Sequence, residues 1–224
     1  MKKVIFTLNV DGYSPEITKI TYPFIEHYAK KIGAEIYVIN KRRFKDYPVT
    51  YEKLQIYELG LGYDWIIYID SDALIHPNMF DVTELLPQDT VMTYDKDFAV
   101  GRFGYDRYFK RDGRNIGVGN WFTIASKWCI DLWNPLREIE YASFIINMDQ
   151  TIYPTRNEQL FDILPTHLID DYVLSRNIAK YGLKHTTFLE YFKEYIDPLT
   201  FLHHNYLLTT EEKIIDLQNV ANTF

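Results

Sequence analysis

Five apolar residues in a row, Trp65 to Ile69, run without a polar break into Asp70-Ser71-Asp72. A strand with one wet face alternates apolar and polar side chains, so this run predicts a strand covered on both sides, as at the centre of a parallel sheet. Side chains alternate along a strand, and residues two apart point the same way. Asp70 and Asp72 are therefore placed to face one point just past the strand's carboxyl end, where open α/β sheets bind their ligands. Two unpartnered carboxylates repel each other there, and burying a charge without a partner is costly. The spacing thus predicts a cation between them, and hard oxygen ligands point to Mg2+ or Mn2+. Many strands simply end in a solvated acidic turn. The apolar run argues against that here, because a solvated turn does not require two acids on one face at the mouth of a buried strand.

The 224 residues suit one large domain, or a domain with a small appendage, and 47% hydrophobic content is ample for a core. A formal charge of -7 argues against broad binding to nucleic acid or anionic membrane. An anionic substrate then needs a metal or a local basic patch. Tyrosines outnumber phenylalanines, 19 to 14, and each joins a flat apolar face to a hydroxyl, which suits polar binding sites as well as cores. Cys129 is the single cysteine, which leaves no disulfide framework and no cysteine-based metal site. The opening MKK runs straight into VIFTLNV, too short for a signal peptide and without a small-residue cleavage site. No apolar run approaches the ~20 residues that span a bilayer. These features predict a soluble, cytoplasmic chain.

Val4 to Val10 predicts the first strand, closed by the turn Asp11-Gly12-Tyr13-Ser14-Pro15. Ile17 to Ile32 carries apolar residues at helical spacing and stops at Gly33, and Ala34 to Ile39 predicts a second strand. Strand, helix, strand is the start of a doubly wound parallel sheet. The basic cluster Lys41, Arg42, Arg43 and Lys45 follows on the ligand side. Tyr51 to Leu61 reads as a helix leading into the central strand, Asn78 to Leu86 as a short helix, and Thr90 to Tyr94 as a strand. Lys96 to Gly119, rich in glycine, aromatic and basic residues and without sustained periodicity, reads as a lid or binding loop. Asn120 to Ser126 is again a strand, and Lys127 to Trp133 begins a helix that resumes after Pro135 and runs through Ile146. Residues 147–165 read as irregular. His167 to Lys180 holds a helix with Asp170 or Asp171 as N-cap and Gly182 as stop, Phe201 to His204 ends a last strand, and Glu211 to Val220 is an amphipathic helix.

In this order the sequence resembles glycosyltransferases of the GT-A fold, and within them looks like the metal-dependent retaining families eight and thirty-four. The likeness runs from about Val4 to Asn205. It rests on the Lys53 helix followed by YDWIIYIDSDALI, on GVGNWFTIASKWCIDLW (Gly117 to Trp133), on HLIDDYVLSRNI (His167 to Ile178) and on FLHHNY (Phe201 to Tyr206). Two places depart from the pattern. Tyr172 stands where many relatives have glutamine, and the lysine and tryptophan that usually follow the histidine are absent. The resemblance implies an α/β GT-A fold with a central, mostly parallel twisted sheet flanked by helices, as a single domain over residues 1–224. Its nucleotide-binding half would lie at about 1–94 and its acceptor-side half at about 95–224.

The resemblance further implies a hexosyltransferase that uses a UDP-sugar, glucose-like, as donor and a glycan or glycoprotein hydroxyl as acceptor, with retention and with Mn2+ or Mg2+ as cofactor. Asp70, Asp72 and a histidine of FLHHNY would hold the metal. His203 is favoured over His204, because the family histidine directly follows the apolar strand. Mn2+ accepts a mixed oxygen and nitrogen set more readily than Mg2+. Thr7 and Asn9, at the carboxyl end of the first strand, are assigned to the nucleoside, and Lys53, Ser71 and Asn120 to the nucleotide sugar. Asp171, beside an Asp170 able to cap the helix, is the candidate near the anomeric carbon, with Asp72 as its catalytic partner. Tyr105, Tyr108, Phe109 and Trp121 are candidates for stacking on a sugar. Two other readings remain: a haloacid-dehalogenase-type phosphatase, which also has a strand ending in D-x-D, and a metal-dependent carbohydrate-binding module without catalysis.

Overall fold

A computed structural model describes residues 1–95, 116–149, 169–194, 197, 200–205 and 208–224. The loop expected at Lys96–Gly119 lies almost wholly outside the described residues, as do Tyr105, Tyr108, Phe109 and most of the irregular stretch 147–165.

The first strand, β1 (Lys3–Leu8), is followed by helix α1 (Pro15–Ile32) and β2 (Ala34–Ile39). Pro15 starts α1 because its missing N–H would be unpaired there anyway. Gly33 ends it at φ 67, in the left-handed region where a side chain is penalised. The expected Tyr51–Leu61 helix is a tighter structure: 3-10 turns at Val49–Gln55 and Gly60–Gly62 enclose one α-helical turn, α2 (Ile56–Leu59). β3 (Trp65–Ile69) follows, then β4 (Leu74–Ile75) and β5 (Thr90–Thr93). Of the helix expected at Asn78–Leu86, only a single 3-10 turn forms, Val82–Glu84. β6 (Phe122–Ser126) leads through a 3-10 segment (Lys127–Trp133) into α3 (Glu138–Asp149). α4 (Ile169–Tyr181), β7 (Lys184–Thr187), α5 (Phe188–Phe192), β8 (Leu202–His203) and α6 (Thr210–Ala221) complete the order.

Six strands form one sheet in the order β2-β1-β3-β6-β5-β7, and β4 pairs with β8 in a separate two-stranded ribbon. The pairs β1–β2, β1–β3 and β5–β7 are parallel, whereas β6 runs antiparallel to both β3 and β5. The chain crosses from β1 to β2 on one side and then returns to β3 on the other. Such a reversal, here beyond the carboxyl ends of β1 and β3, is where open α/β sheets bind their ligands. Because β6 is inverted, its amino end reaches the same edge, with the Asp70 N–H donating to the Trp121 carbonyl at 2.8 Å.

β3 is covered on both faces, as its composition predicts: all five residues are at most 1% exposed. Ile66 and Tyr68 pack into one core with Val4, Phe6, Leu54, Ala125, Trp133, Val173 and Leu174. Trp65, Ile67 and Ile69 pack into the other with Ile5, Tyr28, Phe122, Ile124 and Phe188. Ile17, Leu74 and Leu217 form a third, small cluster where α6 rests on α1. Among the described residues no helix is long and apolar enough to cross a membrane.

Candidate active site

Asp70 and Asp72 follow the end of β3 in a turn closed by the Ala73 N–H donating to the Asp70 carbonyl at 3.1 Å, and each carboxylate gives one oxygen to a lysine. Lys53 Nζ lies 3.0 Å from Asp70 Oδ1. Lys213 Nζ donates to Asp72 Oδ2 at 2.5 Å. The Tyr68 hydroxyl, two residues back on the same face of β3, also donates to Asp70 Oδ1. The Tyr13 hydroxyl reaches Asp72 Oδ2 at 3.2 Å from the turn after β1. The other two oxygens meet a ring nitrogen: His204 Nε2 stands 3.2 Å from Asp72 Oδ1 and 3.9 Å from Asp70 Oδ2. One ligand atom from each of Asp70, Asp72 and His204 falls within 4.8 Å of the others.

Oxygens and nitrogens about 2.1 Å from an octahedral divalent ion stand about 3 Å from one another, so this set fits such an ion after small side-chain adjustments. The lysines do not use up the ligands, because they hold the opposite oxygen of each carboxylate. Burial would raise the Asp72 carboxyl, but His204 and the Lys213 ammonium outweigh it and hold the group well below the usual carboxylate range. Asp72 is therefore an anion in the folded protein, as a metal ligand must be.

The histidine expected in this set, His203, is elsewhere. Its Nε2 lies 2.6 Å from Asp216 Oδ2 on α6. In the β4–β8 ribbon His203 is opposite Leu74 and Leu202 opposite Ile75. Leu202 is buried at 3% exposure, so its face of β8 is the inner one. His204, two residues on, continues that face, and His203 points away from it. Trp121 stacks on the His204 ring at 4.9 Å between centroids and 19° between planes, which fixes the imidazole orientation.

Lys53, expected to reach a nucleotide, is 5% exposed and fully engaged within the protein. Its ammonium bonds the Asn120 carbonyl at 2.9 Å, Asp170 Oδ2 at 2.8 Å and Asp70 Oδ1 at 3.0 Å, three acceptors for three N–H groups. It also lies 4.9 Å from the centre of the Tyr68 ring. Burial would lower the Lys53 ammonium, but Asp170, Asp70 and Asp171 outweigh it and push it above the usual lysine range. Lys53 is thus a buried counter-ion that ties the end of β3 to the start of α4.

Asn120 completes this junction. Its N–H donates to Asp171 Oδ1 at 2.6 Å, its amide nitrogen lies 3.4 Å from Asp170 Oδ2, and its Oδ1 accepts from Thr123 at 2.9 Å. Asp170 and Asp171, either of which was expected as N-cap, both lie inside the first turn of α4, and Asp170 gives its carboxylate to Lys53 and Asn120. Thr7 is 1% exposed, so its hydroxyl lies beneath the surface. Asn9 donates to the Tyr22 hydroxyl at 3.0 Å, and its buried Oδ1 has no donor among the described residues. Ser71 is 5% exposed, with its carbonyl accepting from Thr21 at 2.5 Å.

Lys213, Tyr13 and Tyr68 are site residues that sequence reasoning missed. Tyr68 was accessible, because alternation along the end of β3 puts it on the same face as Asp70. Lys213 lies 141 residues after Asp72, and nothing local marks it.

A mixed, mostly parallel six-stranded sheet with one inverted strand, flanked by helices, has the GT-A architecture. A solved glycosyltransferase involved in the glycosylation of the major capsid of PBCV-1 superposes with a TM-score of 0.53 at 11% identity, over 97% of this chain and 100% of that one. The galactosyltransferase LgtC, solved in complex with donor and acceptor sugar analogs, gives a TM-score of 0.49 at 12% identity over 99% of this chain and 96% of that one. No family model matches the chain, and no curated protein matches it significantly.

Proposed function

We propose that this chain is a divalent-cation-dependent glycosyltransferase that moves a hexose from a UDP-sugar to a hydroxyl of a glycan or glycoprotein, with retention at the anomeric carbon. One observation carries the reading: Asp70, Asp72 and His204 bring two oxygens and a nitrogen together at the switch point of a GT-A sheet. Mn2+, or Mg2+, bound there would neutralise the charge that builds on a departing diphosphate.

The chain's own residues prepare that position. Lys53 and Tyr68 fix Asp70 through Oδ1, and the Tyr13 hydroxyl reaches Asp72 Oδ2, so the remaining oxygens are held toward His204. Holding ligands in place before binding lowers the reorganisation needed when charge develops. Asn9, with a buried acceptor at the end of β1, is suited to an N–H or O–H of the nucleoside. Thr7 is assigned to the nucleoside with it, and Ser71 and Asn120 to the nucleotide sugar. Asp171 is oriented by the Asn120 N–H and is the group assigned to the sugar cation. In a retaining transfer the leaving phosphate can take the acceptor's proton, so Asp171 need not act as base; in an inverting one it must. Residues 1–94 carry the nucleotide side and 95–224 the acceptor side, with Lys53 bonded across the division to Asp170.

The test is calorimetric titration of nucleotide sugars with and without Mn2+, on the wild type and on Asp72→Ala. Mn2+-dependent binding that is lost in the variant is the expected result. Binding that ignores both the metal and the substitution refutes the site. Hydrolysis of a generic phosphate ester without any sugar nucleotide would favour the phosphatase reading, and tight UDP-sugar binding without transfer to any acceptor would favour a binding module.

A further inference from the structure

The two lysines that neutralise the acid pair are not equivalent. Lys53 is enclosed, and its three N–H groups meet three acceptors from β3, α4 and the start of β6. Lys213 has one acceptor among the described residues, Asp72 Oδ2. It projects from α6, a helix that lies outside the two main cores and rests on the small cluster of Ile17, Leu74 and Leu217. Lys213 is itself buried, at 8% exposure, but a turn of its four-carbon stem breaks only that one contact among the described residues.

An ion ligated by Asp72 Oδ1 would sit within about 5 Å of the Lys213 ammonium, and like charges at that distance repel strongly in a partly buried site. Both cations claim the same carboxylate. Lys53 cannot yield without abandoning Asp170 and the Asn120 carbonyl as well. Lys213 gives up one contact.

We propose that Lys213 is a built-in counter-ion which a divalent cation displaces from Asp72, so that the C-terminal helix sets the cation affinity of the site. The proposal rests on the reading of Asp70, Asp72 and His204 as a cation site and adds a competitor to it. When the site is empty of metal, Lys213 keeps Asp72 from standing as a buried, unpaired charge. When metal enters, the ammonium leaves, and α6 keeps its place through Leu217 and the Asp216–His203 pair.

The experiment measures Mn2+ binding, with the metal alone as probe, by calorimetry on the wild type, Lys213→Met and Asp72→Asn, after thermal unfolding has verified that each variant is folded. Methionine keeps an unbranched apolar stem and removes the charge. Mn2+ should bind Lys213→Met at least tenfold more tightly than the wild type, and Asp72→Asn should lose the binding. Equal or weaker binding in Lys213→Met overturns the displacement while leaving the cation site standing. Absence of Mn2+ binding in both the wild type and Lys213→Met removes the cation site itself, and the proposal with it. A second measurement needs no variant: amine acylation of the wild type, mapped by mass spectrometry, should modify Lys213 faster once Mn2+ is added. An unchanged rate at Lys213 under saturating Mn2+ overturns the proposal.

Discussion

Replacing Lys53 by methionine tests whether the junction between β3 and α4 is electrostatic. Methionine fills nearly the same space, so the packing against Tyr68 is largely kept and the charge alone is removed. The change leaves Asp70 Oδ1, Asp170 Oδ2 and the Asn120 carbonyl without the donor that now lies 2.8 to 3.0 Å from each. Asp170 is 2% exposed, so its charge cannot be solvated in place. Removing one partner of a buried ion pair costs about 3–5 kcal/mol, which in a chain of this size lowers the unfolding temperature by roughly 10 °C. Lysine is charged below the pH where its folded form titrates, and that point is raised here, so the full contribution is present at neutral pH. The assay is thermal and denaturant unfolding at pH 7 for the wild type, Lys53→Met, and Lys53→Met combined with Asp170→Asn. Removing the orphaned carboxylate should return at least about 1 kcal/mol in the double variant, the coupling expected of residues in contact. A loss below about 1 kcal/mol in Lys53→Met, or no recovery in the double variant, would show that the ammonium does not hold these groups together.

The two neighbouring histidines should separate by phenotype. His204→Ala should abolish Mn2+ binding and also lower the unfolding temperature, since the ring pairs with the buried Asp72 and stacks on Trp121. His203→Ala should retain Mn2+ binding and lose about 1 kcal/mol through the broken contact with Asp216, a difference visible by calorimetry and thermal unfolding together. A second prediction concerns acid stability through Glu140 on α3, which accepts from Arg137 at 3.0 Å and from the buried Arg176 at 2.6 Å. Burial would raise the Glu140 carboxyl, but Arg137 and Arg176 outweigh it and bring it down to about 2. A carboxyl depressed in the folded state stabilises above its unfolded value of about 4.3 and loses that contribution as pH falls from there through about 2. Glu140→Gln should therefore cost about 2 kcal/mol at pH 7, with the gap to the wild type closing as melts are repeated toward pH 2; a gap that stays constant across that range refutes the assignment.

Much of the fold was legible because one periodicity was clean. Ala34–Ile39 and Trp65–Ile69 coincide with observed strands, and Gly33 and Gly182 end their helices at φ 67 and φ 64, as expected of glycine. The inverted direction of β6 was not legible. A strand buried on both faces such as FTIAS, whose Thr123 and Ser126 are buried along with its apolar residues, looks the same whether its neighbours run with it or against it. The Tyr51–Leu61 segment has helical spacing, but Gly60 and Gly62 and the need to present Lys53 inward leave it with only one α-helical turn. At the site, the acid pair was readable from its place at the end of a buried strand, although the chain turns at Asp70–Ala73 instead of carrying the two-residue alternation on. The same rule, applied from the buried Leu202, selects His204; choosing His203 by its adjacency to the strand overlooked which face was inward.

The inverted strand is what allows the site to be compact. A parallel strand next to β3 would present its carboxyl end and a crossover at this edge. The antiparallel β6 instead presents its amino end, where Asn120 and Trp121 enter the sheet beside Asp70. From there the Asn120 carbonyl faces Lys53, the Asn120 N–H faces Asp171 and the Trp121 ring faces His204. One dipeptide thus orients the counter-ion of the first acid, the carboxylate assigned to the sugar and the ring that completes the ligand set. Trp121 was singled out from sequence for stacking on a sugar, and it stacks on His204 instead. The Trp121 ring holds the imidazole plane from one side, so shortening it should loosen His204 first. Trp121→Ala is therefore expected to weaken Mn2+ binding even though the indole contributes no ligand atom.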